Sequence, residues 1–72
     1  MKVSQLIHVM DKDDLIIIND CNKKITNMEV YNGEVRGITK DSYINRYHVH
    51  NIFADGDTLV VLAEKQKMKG GE

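Results

Sequence analysis

The chain has 72 residues, 42% of them hydrophobic, with a single cysteine, no proline and a formal net charge of −1. Ordering so short a chain costs on the order of 100 kcal/mol of conformational entropy, so one domain near the lower limit for folding alone is expected, with self-association as a way to gain buried surface. One cysteine excludes an internal disulfide, no Cys/His set has zinc-finger spacing, and the longest apolar run, Leu15-Ile16-Ile17-Ile18, is too short to span a bilayer.

Val3, Leu6, Ile7 and Met10 recur at i, i+3, i+4 and i+7, which predicts a short N-terminal helix with one apolar face, capped by Ser4. At about two turns it must lie on a sheet to be stable. Asp11-Lys12-Asp13-Asp14 ends the periodicity. Leu15 to Ile18 is an unbroken apolar run of the kind found in a central strand buried on both faces. Asn19 to Lys24 supplies a turn, and a second strand is expected over about Ile25 to Tyr31. Asn32-Gly33 is a strong hairpin signal, and a glycine there fits a bulge that lets the strand run on into Glu34-Val35-Arg36 equally well. Thr39 to Asn45 reads as a helical turn capped by Thr39. A strand from Tyr47 to Ala54 then turns at Asp55-Gly56-Asp57 and returns over Thr58 to Ala63.

These elements predict an α+β fold: a four-stranded, mainly antiparallel sheet with an N-terminal helix and a short helical turn between the two hairpins. The domain spans 1–64, and 65–72 forms a flexible basic tail. The expected core is Leu6, Ile7, Met10, Ile16, Ile18, Val30, Val35, Ile52, Leu59 and Val61. Ile17, Val60 and Leu62 have no use on that face, so a second copy or a partner is expected to cover them.

Residues 1–64 carry seven basic and ten acidic side chains, and 65–72 carry three lysines and one glutamate. A mildly acidic body is a poor match for a nucleic-acid backbone, which demands clustered Lys/Arg. The lone cysteine and the lack of a signal-peptide pattern predict a cytoplasmic protein, in the host cell if phage-encoded.

The opening "MKVSQLIHVMDKDDLIII", the central "VYNGEV" and the closing "YINRYHVHNIFADGDTLVV" resemble small accessory proteins encoded by phages and mobile elements of Gram-positive bacteria. That resemblance slightly favours the bulge at Asn32-Gly33. It implies a non-catalytic, anti-defence role: inhibition of a bacterial defence effector, such as a CRISPR-Cas component, by protein binding. It assigns no functional residue to any position.

Candidate sites divide by chemistry. His48-Val49-His50 places two imidazoles on one face of a strand, but a zinc site needs a third ligand. His8, Cys21 and the Asp55/Asp57 pair are the available suppliers and none is placed by local spacing, so no metal or other cofactor is expected. Cys21 sits in a turn with Lys23 and Lys24 but also Asp20 beside it, which is a poor setting for a nucleophile. Asp11, Asp13, Asp14 and Asp20 lack the central glycine and terminal glutamate of an EF-hand loop. The first three remain candidates for an acidic patch. No phosphate-cradling glycine loop or nucleophile elbow is present, so an enzyme is the least expected class.

Tyr43, Arg46, Tyr47, His48, His50 and Arg36 form the candidate partner-binding set, since Tyr and Arg dominate binding hot spots. With Tyr31, the same residue types could stack on and pair with a nucleotide. Two functions follow: inhibition of a host defence protein by occlusion, or an oligomeric pocket protein that sequesters a small nucleotide signal.

Overall fold

A computed structural model describes residues 1–21 and 28–65. The remainder of the predicted turn to Lys24, the start of the second strand at Ile25, and the tail beyond Lys65 lie outside the described residues.

The elements are α1 (Val3–His8), β1 (Leu15–Asp20), β2 (Met28–Glu34), two 3₁₀ turns (Val35–Gly37 and Tyr43–Arg46), β3 (His48–Asp55) and β4 (Thr58–Glu64). The fold is α+β, with one four-stranded, mostly antiparallel sheet in the order β2-β1-β4-β3. Two antiparallel hairpins, β1–β2 and β3–β4, meet through a parallel pairing of β1 with β4 that runs from Leu15 opposite Thr58 to Asp20 opposite Ala63. The two central strands are the two most apolar segments of the chain, but β1 is not buried on both faces as expected. Ile16 and Ile18 are buried on the covered face, whereas Leu15 is 42% exposed and Ile17 only half-buried on the other, which no layer covers among the described residues.

Side chains alternate across each strand, so Ile16, Ile18, Leu59, Val61 and Ala63 share one face of the sheet. Val3 and Leu6 of α1 pack there, joined by Val35, Ile38, Ile44 and Tyr47 from the β2–β3 connection. That connection supplies as much of the cover as the helix does. Ile7, Met10, Val30 and Leu59 are only partly buried at its margin, and Ile52 is 37% exposed instead of core. Ile52 lies on the edge strand β3, whose residues from His50 to Asp55 are all exposed.

Local chemistry sets the boundaries. Lys2 caps α1 rather than Ser4, its backbone N–H donating to Gln5 Oε1 at 2.8 Å. Ser42, rather than Thr39, caps the second 3₁₀ turn, its hydroxyl accepting from the Ile44 N–H at 3.2 Å. Asn32-Gly33 makes no hairpin turn: β2 runs through it, with Gly33 opposite Ile16, and the register shift falls two residues earlier, at Val30. Gly56, at φ 62°, opens the two-residue β3–β4 turn, where a positive φ at the first central position is the glycine-favoured geometry. The first residues tie α1 to β3 through Val3 N–H to Tyr47 O at 2.9 Å and Val49 N–H to Met1 O at 2.7 Å.

Candidate functional site

α1 and the β2–β3 connection pack side by side over the sheet and leave an open groove of about 950 Å³ between them. Lys2, His8 and Lys12 line it from the helix side, and Arg36, Lys40 and Arg46 from the connection. Of the six lysines and arginines among the described residues, five therefore converge on one groove, with Lys65 outside it. Asp41 is the one carboxylate in the lining, and Ile7, Met10, Val35 and Ile38 add apolar surface. Like charges this close raise the local potential and attract anions.

The groove is held open by backbone. The Val35 N–H donates to Asp14 O at 2.9 Å and the Arg36 N–H to Lys12 O at 3.0 Å, docking the first 3₁₀ turn on the loop after α1. Arg36 ion-pairs with Asp13 and, at 3.3 Å, with Glu34. Lys2, Lys12, Lys40 and Arg46 have no ion pair among the described residues. Asn45, also in the lining, donates from Nδ2 to Thr39 O at 2.9 Å, which fixes the orientation of its amide. Its Oδ1 is then a buried acceptor with no hydrogen-bond partner among the described residues. An unsatisfied buried acceptor is costly.

The candidate binding residues separate in space. Arg36 and Arg46 line the groove. Tyr43 is 60% exposed beside it, its ring centroid 6.0 Å from that of Tyr47 at 57°. Tyr47 is 5% exposed and belongs to the core, its hydroxyl making a long 3.4 Å contact to Asp20 Oδ2. Burial, Asp20 and Tyr43 all push the Tyr47 hydroxyl above its ordinary pKa. His48 and His50 lie on β3 and outside the groove lining, although His48 pairs with Lys2 of that lining. Asp11, Asp13 and Asp14 are exposed, but Asp14 Oδ2 accepts from the Asp11 N–H at 2.9 Å and Asp13 is taken up by Arg36. Much of the acidic patch is thus engaged in shaping its own turn.

The sequence singles out none of Lys2, Lys12, Lys40 and Asn45, and His8 only as a possible metal ligand. Counted along the chain, the body is acidic, and only the packing of residues 2–12 against 35–46 makes the clustering visible.

A second cluster lies at the start of β3, outside the groove lining. Cys21, His50 and Glu64 bring a thiol, an imidazole and a carboxylate to within 4.8 Å of one another. His48, the expected partner of His50, is not in that cluster.

No known protein family matches the chain, and no curated protein or solved structure is similar to it. No helix among the described residues is long and apolar enough to cross a membrane.

Proposed function

We propose that the protein is a non-catalytic cytoplasmic binding protein that captures a small phosphate-bearing ligand of the nucleotide class in its cationic groove, and acts as a homo-oligomer. For a phage or mobile element, sequestering a nucleotide signal would blunt a host defence that depends on it. The convergence of Lys2, Lys12, Arg36, Lys40 and Arg46 on one groove carries this reading. Its volume of about 950 Å³ suits a ligand of nucleotide size. The apolar lining favours a ligand with an apolar face over a bare phosphate.

Calorimetry with a panel of linear and cyclic mono- and dinucleotides tests it. One or more should bind, with affinity falling as salt rises. Lys40→Glu with Arg46→Glu should weaken binding at least tenfold while circular dichroism stays unchanged. No binding by any member at millimolar concentration, or binding indifferent to both charge reversals, would sink the idea.

Occlusion of a host defence protein is the second reading, favoured by Tyr43 and Arg46 standing exposed on one 3₁₀ turn. These are hot-spot residue types. Tyr43→Ala separates the two, because Tyr43 is outside the groove lining. Loss of capture of a purified effector with nucleotide affinity intact would favour occlusion.

A further inference from the structure

We propose that Cys21, His50 and Glu64 form a binding site for one divalent transition ion of the zinc class. The site lies outside the cationic groove, so it stands or falls independently of the nucleotide reading.

Each donor is placed by sheet backbone rather than by a loose loop. Cys21 directly follows β1, and its N–H donates to Ala63 O at 2.8 Å, which pins it beside β4. Glu64 is the last residue of β4 and pairs with His48. His50 is the extra residue of a bulge, since Val49 pairs with Ala63 and Asn51 pairs with the very next residue, Leu62. Bulges re-aim a side chain out of the strand's alternation, and they recur beside functional sites. Here His50 Nε2 comes to 3.1 Å from Glu64 Oε1.

The chemistry of the donors fits the ion. Thiolate, imidazole and carboxylate are the three ligand types zinc accepts, at about 2.0–2.3 Å each. Tetrahedral geometry at those bond lengths puts donors roughly 3.3–3.8 Å apart. The three atoms already lie within 4.8 Å of one another, so small side-chain rotations close the site. A thiolate and a carboxylate also neutralise a dication, leaving a neutral centre. Three protein ligands leave the fourth position to water or to a donor from outside the chain. An ion there would staple the ends of β1, β3 and β4.

The test is cobalt(II) titration of the full chain purified without a histidine tag. One equivalent should bind with a thiolate-to-cobalt charge-transfer band, and zinc should displace it. Cys21→Ser should abolish the band. His50→Ala and Glu64→Gln should each weaken binding at least tenfold, while His8→Ala leaves it unchanged. In the wild type, zinc should also slow alkylation of Cys21, and it should fail to do so in Glu64→Gln, a readout that does not depend on the folding of the serine variant. The absence of a thiolate band in the wild type, or wild-type affinity in His50→Ala and Glu64→Gln, overturns the proposal.

Discussion

Tyr31 accounts for two glycines at once. Its hydroxyl donates to Glu34 O at 2.5 Å, folding the side chain along the end of β2. A Cβ at position 33 would sit 3.2 Å from the Tyr31 hydroxyl, and one at position 37 would collide with it. Gly37→Ala should therefore cost about 1 kcal/mol, the worth of the displaced hydrogen bond, which is roughly 4–8 °C in melting midpoint for a domain this small. Adding Tyr31→Phe should recover part of that loss; a Gly37→Ala variant melting with the wild type would refute the collision. Tyr47 makes the opposite case, an aromatic residue of binding type that folding has taken for the core. Tyr47→Ala should cost about 3–5 kcal/mol, whereas Tyr47→Phe, which gives up only a long hydrogen bond, should cost under about 1 kcal/mol. Its raised pKa adds a pH signature. The unfolded chain ionises this tyrosine first, so its stabilising effect is complete below about pH 10 and is lost as pH rises through the higher folded value. Chemical denaturation across pH 8 to 11 should show that loss in the wild type and a shallower one in Tyr47→Phe.

Among the elements, those built on local periodicity were legible from the chain and those built on distant packing were not. Leu15 to Ile18 reads as a central strand because a short β-branched run suits one, and β1 is central, although only Ile16 and Ile18 are buried. Asp55-Gly56-Asp57 reads as a tight turn because Gly56 supplies a conformation other residues avoid. The β2–β3 connection offers no such period. Ile38, Ile44 and Tyr47 are buried by α1 and the sheet rather than by their own spacing, so the expected core missed them. The groove was illegible for the same reason, since its cations come from segments more than twenty residues apart. Arg36 and Arg46 were picked out by residue type; that they share a groove required the fold. For the Cys21, His50 and Glu64 cluster the sequence predicts no metal: it offers Cys21 and His50 as ligands but pairs His50 with His48, and the bulge that brings His50 to Glu64 leaves no mark on the sequence. At this scale Ser42 is the useful probe. Ser42→Ala removes the cap of the second 3₁₀ turn and should cost about 0.5–1 kcal/mol. Because that turn carries Arg46 and Asn45, nucleotide affinity should fall severalfold with every charge retained. Unchanged affinity in a demonstrably less stable Ser42→Ala variant would mean that the turn does not position the groove.

The described part of the molecule measures 38 × 26 × 17 Å, and its thinnest dimension fits a sheet with one layer of cover. α1 and the connection occupy one face. On the other, alternation places Leu15, Ile17, Val60, Leu62 and Phe53 together across β1, β4 and β3. Val60 is buried by its neighbours, but Leu15 is 42% and Phe53 49% exposed. No charged side chain lies among these five, and Glu34, opposite Leu15, and Asp55, two residues from Phe53, border them at the sheet's edges. A second copy is the occupant that matches such a patch, because a two-fold contact sets a surface against itself and an uncharged apolar surface meets itself without repulsion. A chain this short also has the most to gain from shared burial. Light scattering at micromolar concentration should give twice the 8.3 kDa chain mass. Phe53→Glu should return the monomer with its circular dichroism intact, since the side chain is already half in water and its loss removes little from the core. The cationic groove opens on the far side of the sheet, so the Phe53→Glu monomer should bind a nucleotide as the wild type does. A wild-type mass of 8.3 kDa at every concentration would rule out the second copy. A Phe53→Glu protein that dissociates and also loses the ligand would place part of the binding site on the neighbouring subunit.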